Sequence, residues 1–288
     1  MGKINGLMAK IRGKNRIVLF LIIIGVCIIA ISLGIYSQFF YKYSETDPLM
    51  LGIHIGEAKT SEEYAELKAN FSSLFTNELH VNSESIKVDK IETSQSVVFS
   101  QYTLDYPDET YYSVQLELPI LNIDNEVAKE INAQIKEEFY DTAYTIMRQT
   151  SGYTVYNVSY VAYVNSNIIS IVINETAKYG TSSETTVIRT YNYDMSTNTQ
   201  VSLTDLIELK ETTVSEVQKS IDSTVQTAYE NSLSIAEEYG TEVIRDPEDE
   251  MYEVENAETY FLTDDGYVYI VYAYGETLET NEMDIVIF

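Results

Sequence analysis

The chain has 288 residues, with 18 Lys and Arg against 45 Asp and Glu, a formal charge of −27. That balance repels nucleic acid and anionic lipid headgroups and argues against partners of either kind. One cysteine and two histidines leave neither a zinc ligand set nor a disulfide framework, and no metal or cofactor is expected.

Residues 1–16 form a basic tail with Lys3, Lys10, Arg12, Lys14 and Arg16 and no acidic residue. Ile17 to Tyr36 has no charged side chain. About 20 such residues at 1.5 Å rise cross a ~30 Å hydrocarbon core. Residues 17–40 therefore read as a transmembrane helix. A cleaved signal would end in a small-x-small site, and a lipoprotein signal would place a small residue before Cys27, where Val26 stands. Both readings fit less well than a retained anchor. Positive residues stay on the cytoplasmic side, which predicts an inside N-terminus and an outside C-terminus. The sixteen-residue tail is too short to bury a core. Beyond it, 13 of the 18 basic residues face all 45 acidic ones, a net −32. A large disulfide-free outer domain on a single anchor reads as a bacterial surface protein. Its Asn-x-Ser/Thr tripeptides read as accidental.

Residues 41–59 read as a stalk, although LMLGIHIG inside it is apolar. Residues 60–110 are expected to hold a helix and the strands that lead into the main domain. Thr60 with Glu63 makes a capping box. Tyr64, Leu67, Phe71, Leu74 and Phe75 then recur at helical spacing, which predicts a helix to about Leu79 with His80 at its end. Short alternating β-branched and aromatic runs follow, broken near Pro107 and Asp108. A second helix is predicted from Asp124, with Val127, Ile131, Ile135, Phe139 and Ala143 on its core face. TVYNVSYVAYV and IISIVINETAKY form a hairpin around Asn165-Ser166-Asn167. TTVIRTYNYDM is a further strand. A third helix over 211–238 puts Val214, Val217, Ile221, Val225 and Ala228 on one face. Asp264-Asp265-Gly266 turns a last hairpin before the strand MDIVIF. Meanders with separate helices define an α+β fold, an antiparallel sheet with helices packed on it. The 25 tyrosines fit half-buried strand positions better than a sugar-stacking platform.

No G-x-S-x-G elbow, Ser-x-x-Lys pair or glycine-rich phosphate loop occurs. His54 falls in the stalk and His80 at a predicted helix end, so neither reads as a base. Asp246, Glu248, Asp249 and Glu250 could offer oxygens to calcium, but without EF-hand spacing they read as a solvated acidic loop. The expectation is a protein that binds and does not catalyse. Its ligand is expected to be a cell-envelope polymer or a cationic protein. The alternatives are a carboxylate-dependent, glycan-acting enzyme or a lysozyme-sensing envelope-stress protein.

From 111 to 288 the order of segments resembles the paired extracellular domains of unknown function of the RsiV and PdaC type. YYSVQLELPIL leads into DNEVAKEINAQIKEEF with its Ile131-Asn132 pair. YNYDMSTNTQVSLTDLI then matches a strand, a turn and an L-x-DL step. YFLTDDGYVYIVYAY matches the closing hairpin. The resemblance implies an α+β fold and a cell-surface address. It also points to two loops as ligand contacts, Tyr179-Gly180-Thr181-Ser182 and the run opening with Gly275-Glu276. Both depart from the family's pattern, which has Gly-Gly-Ala-His in the first and Pro-Tyr-Ala-x-Gly in the second, so lysozyme recognition does not carry over. The short tail leaves no room for an anti-sigma segment.

Overall fold

The computed structural model describes residues 53, 55–82, 88–240, 242–275 and 281–288. The predicted tail, the predicted span, His54 and Glu276 lie outside them. No helix among the described residues is long and apolar enough to cross a membrane.

Helix α1 (Ser61–Ala69) starts at the expected capping box. The Thr60 hydroxyl accepts from the Glu63 N–H at 3.3 Å, and the Glu63 carboxylate accepts from the Thr60 N–H at 2.8 Å. The helix stops earlier than its apolar spacing suggests. A 3-10 turn (Phe71–Leu74) follows, and Asn77 then takes a left-handed φ of 60°. Residues Glu78–Val81 form strand β1, so His80 lies in a strand, stacked 5.5 Å from the Tyr163 ring, and not at a helix end. Pairing with the rest of the sheet overrides the local helical period.

The first sheet holds β2 (Val98–Tyr106), β3 (Tyr112–Leu121), β4 (Thr154–Asn165), β5 (Ile168–Tyr179), β6 (Thr185–Asp194) and β7 (Thr199–Gln200), side by side in that order. It is antiparallel-rich but not wholly antiparallel. β3 and β1 share one edge of β4 and both run parallel to it, β3 along Thr154–Val158 and β1 along Val161–Val164. Asn77 sits where they part. Its N–H donates to the Tyr160 carbonyl and its side-chain oxygen accepts from the Tyr160 N–H, both at 2.8 Å.

Helix α2 (Glu126–Ile135), a π turn (Lys136–Tyr140) and α3 (Asp141–Met147) cover one face of this sheet. Ala128, Ile131, Ile135, Phe139 and Ala143 are buried there, whereas the predicted Val127 is half-buried. A four-residue step overshoots the 3.6-residue turn by about 0.4 residue, and the wider π turn absorbs the drift.

A second sheet has β9 (Val268–Ala273) between β8 (Tyr260–Leu262) and β10 (Met283–Ile287), all antiparallel. Alternation divides its side chains between two cores. Phe261, Tyr269, Val271 and Ile285 meet Phe71, Val161, Tyr163 and Val172 of the first sheet's side. Leu262, Val268, Ile270, Tyr272 and Val286 meet α4 (Leu203–Leu209) and α5 (Val214–Tyr239). The layers are thus helix, sheet, sheet, helix. The outer edge of β8 lies on the first sheet and is satisfied by side chains. Asn192 Nδ2 donates to the Tyr260 carbonyl at 2.7 Å, Tyr260 N–H donates to Thr190 Oγ1 at 3.1 Å, and Leu262 N–H donates to Ser170 Oγ at 3.1 Å. Buried Ser170 and Asn192 offset the cost of hiding backbone polar groups.

Two further contacts tie the periphery down. In the segment expected as a stalk, Ile53 packs on the second core and Gly56 N–H donates to the Gly266 carbonyl at 3.1 Å. A side chain at Gly56 would stand 2.7 Å from the Tyr267 ring. Behind α5, buried Arg245 grips Asp284 of β10 through Nε at 2.7 Å and Nη2 at 3.0 Å. Arg245 Nη1 reaches Ser232 at 2.8 Å and Glu282 at 2.7 Å, while the Tyr274 hydroxyl donates to Asp284 at 2.6 Å. Among the described residues nine tyrosines are buried, Tyr156, Tyr160, Tyr163, Tyr193, Tyr269 and Tyr272 among them, and seven are half-buried, in keeping with the ordinary strand reading.

Candidate functional site

The second sheet covers part of the first sheet's outer face, around Val161, Tyr163, Val172 and Ile188. Val161 and Val172, opposite each other in β4 and β5, lie beneath it. One step along, Ser159 and Asn174 face each other, half-buried and polar. The next register line crosses five strands. Asp105 is opposite Gln115, Gln115 opposite Asn157, Asn157 opposite Thr176, and Thr176 opposite Thr186. Period-two alternation puts all five side chains on one face. Four strand spacings make this row about 19 Å long. Its members are linked, Gln115 donating to Asp105 at 3.2 Å and Asn157 to Thr176 at 3.4 Å. A depression of about 410 Å³ lies where β3 leaves β4, lined by Asn77, Thr103, Asp105, Gln115, Glu117 and Asn157.

The carboxylates of this face are already engaged. Glu117 accepts from Asn77 at 3.1 Å and from the Ser100 hydroxyl, which also meets the Tyr160 hydroxyl at 2.9 Å. Burial pushes the Tyr160 hydroxyl above its ordinary value, while its hydrogen bond to Ser100 pulls the other way. Thr186 closes the row as a buried residue; what the other four present is a set of amides and a hydroxyl with both donors and acceptors, and no paired free acids.

The other sequence candidates fall elsewhere. His80 lines a small hollow with Tyr163, Asp264, Asp265 and Tyr269. Burial raises the Tyr163 hydroxyl out of the working range of a base. In the acidic loop, Asp246 accepts from the Glu248 N–H at 3.1 Å and Asp249 from the Met251 N–H at 2.9 Å. Those side chains fold the loop back on itself. Among the described residues, no group of three or more His, Cys, Asp or Glu is placed to hold a metal ion.

Tyr179–Ser182 and, of the second expected loop, Gly275 lie at the same end of the β5–β6 hairpin. Tyr179–Ser182 is its tip, closed by the Ser182 N–H on the Tyr179 carbonyl at 3.0 Å, with Gly180 left-handed at φ 58°. The Tyr179 side chain lies on the helix side, in a hollow with Asp141, Thr145 and Gln149, and so not on the polar row. Gly275 presses against Thr186. A Cβ there would come within 2.8 Å of the Thr186 nitrogen and closer still to its oxygen, so only glycine fits. A cleft of about 640 Å³ nearby runs between Val187–Arg189, the 250–259 loop and Val271–Ala273. Sequence reasoning missed the row because it follows strand register. Its one local trace was polar residues at alternate positions, Gln115 and Glu117, Asn157 and Ser159, Asn174 and Thr176.

No protein-family model and no curated protein matches the chain. Two solved structures of the DUF3298 family are similar to it. One, from Pseudomonas aeruginosa, is 9% identical, covers 70% of this chain and 90% of its own, and has a TM-score of 0.37. The other, from Bacteroides fragilis, is 12% identical, covers 66% of this chain and 88% of its own, and has a TM-score of 0.28. Likeness at those scores carries no functional argument.

Proposed function

We propose that this chain is a single-pass bacterial membrane protein, N-terminus inside, whose outer α+β domain belongs to the RsiV/PdaC type and binds a cell-envelope polymer without catalysing a reaction. The observation that carries the reading is the accessible part of the row, Asp105, Gln115, Asn157 and Thr176, on four neighbouring strands. Amide and hydroxyl side chains at strand spacing suit a ligand that repeats hydroxyl groups along its length, because each partner both donates and accepts. The row carries one charged group, Asp105, which favours a glycan-like polymer there over a cationic protein. A hydrolase would need an acid and a second carboxylate free to act, and Glu117 is held by Asn77 and Ser100. The uncharged run Ile17–Tyr36 behind five basic residues supports the anchor and its orientation.

Co-sedimentation of the full-length chain with purified cell-wall sacculi tests the binding. Replacing Gln115 and Asn157 together by Ala removes the centre of the row, and at least about tenfold weaker binding is expected from the lost hydrogen bonds. Binding that the double variant retains in full would remove the row from the site. Protease added to intact protoplasts tests the address, and should digest the chain from about residue 45 onward. A chain that survives intact would reverse the orientation.

A further inference from the structure

The first sheet ends at β2, and among the described residues no strand pairs with its outer edge. A bulge between Ser100 and Tyr102 interrupts the strand early, one of the devices that protects an edge from casual pairing. Beyond it, Tyr102–Tyr106 runs in regular register with Leu118–Val114. The two sides of that edge differ. On the helix side, Tyr102 and Tyr140 lie 4.8 Å apart and Tyr140 and Tyr144 4.9 Å apart, a continuous ladder of rings. Tyr106 follows Tyr102 on the same side of the strand, and Tyr106 and Tyr144 are 42% and 39% exposed. On the other side, exposed Thr103 and Asp105 point along the polar row.

We propose that the outer edge of β2 binds an extended basic peptide of a partner protein, which adds to the first sheet as a further strand. Strand addition supplies backbone hydrogen bonds for affinity and uses alternate side chains for specificity. Here one set of side chains would lie on the ladder Tyr102–Tyr140–Tyr144 and the other beside Asp105. A second copy of this chain is the other natural occupant of a free edge, but charge argues against it. Each outer domain carries a net −32, and self-pairing would bring two copies of Asp105 to one edge. A strand bearing Lys or Arg at alternate positions meets Asp105 and the surrounding field with the opposite sign. The two sites share Asp105, but the peptide is held by the backbone edge of β2, which the polymer reading does not use, so peptide binding and sacculus binding are read separately.

The test uses the full-length chain in detergent micelles and the blocked peptide (Lys-Val)4, with (Glu-Val)4 as control, followed by calorimetry. The basic peptide should bind one to one, and the acidic one should not. Two further peptides carry N-methyl groups on every Val or on every Lys, which blocks one edge of the peptide or the other. One of them should bind at least about tenfold more weakly than the parent while the other keeps its affinity. Asp105→Lys, at an exposed position, should weaken the parent by about threefold or more. The proposal is overturned if (Lys-Val)4 does not bind, if both methylated peptides bind as the parent does, or if Asp105→Lys leaves the affinity unchanged.

Discussion

Asp284→Asn keeps the shape of the buried side chain and removes its charge. In the native protein both partners of the Arg245–Asp284 pair have side chains only 7% exposed. The carboxylate takes both Arg245 nitrogens, at 2.7 and 3.0 Å, and the Tyr274 hydroxyl at 2.6 Å. After the substitution the guanidinium keeps Ser232 and Glu282, and Glu282 is half in water at 51% exposure. Removing one side of a buried pair costs about 3–5 kcal/mol. The surviving Glu282 contact puts the expected loss at the lower end, near 3 kcal/mol. Urea unfolding of the full-length chain, followed by far-ultraviolet circular dichroism, measures it. The double replacement Arg245→Met with Asp284→Leu removes both charges and should recover stability to within about 1 kcal/mol of the native chain. A loss below about 0.5 kcal/mol for Asp284→Asn alone would mean that Arg245 is solvated, and that the pair does not hold β10 to the segment after α5.

Three other outcomes follow from the packing. Ile131→Ala should cost about 2–5 kcal/mol in the same assay, because the side chain is fully buried between α2 and the sheet; a loss under about 0.5 kcal/mol would misplace the helix face. Gly275→Ala should cost about 1–3 kcal/mol by forcing Thr186 away, and an unchanged urea midpoint would show that the β9–β10 end moves freely. The Asp194 carboxyl lies below its ordinary value of 3.8: burial alone would raise it, but hydrogen bonds from Thr197, Asn167 and Ser196 together outweigh that effect. Its contribution is therefore complete above the unfolded-state value and is lost as pH falls through the lower folded value. The stability gap between the native chain and Asp194→Asn should hold steady down to about pH 4 and narrow below it; a gap that stays constant through that range would contradict the assignment.

The features legible in sequence were those fixed within one element. Thr60 and Glu63 cap a helix by contacts three residues apart. Ile131, Ile135, Phe139 and Ala143 repeat along one face, and Ser166-Asn167 turns a hairpin with Ser166 at φ 56°. The misreadings came from pairing at a distance. Leu79 and His80 continue a helical spacing, yet their partners are Ala162 and Tyr163, which no local pattern announces. The two parallel joins and the split into two sheets have the same origin. At the candidate site, Gly275 was expected to open a ligand-contact loop; the need for glycine there comes from the backbone of Thr186, which lies in another strand. Asn157 and Gln115 looked like ordinary outward-facing polar residues until the register aligned them.

The slot that receives β1 has a consequence for how the chain is made. Glu78 faces Val161, so the first strand leaves the ribosome about eighty residues before its partner. At 5–20 residues per second that interval is roughly 4–16 s. Through it Leu79 and Val81 have no β4 to pair with, and the helix-like spacing that precedes them offers a local conformation to wait in. In the native fold β3 fills the first half of β4's edge, and Asn77, just before β1, bonds to Tyr160 where the second half begins. β1 therefore cannot seat before β4 has been made. A chain released before residue 165 holds a strand with no complete place to go, and such truncated products should be cleared or aggregate and not persist as a smaller folded domain.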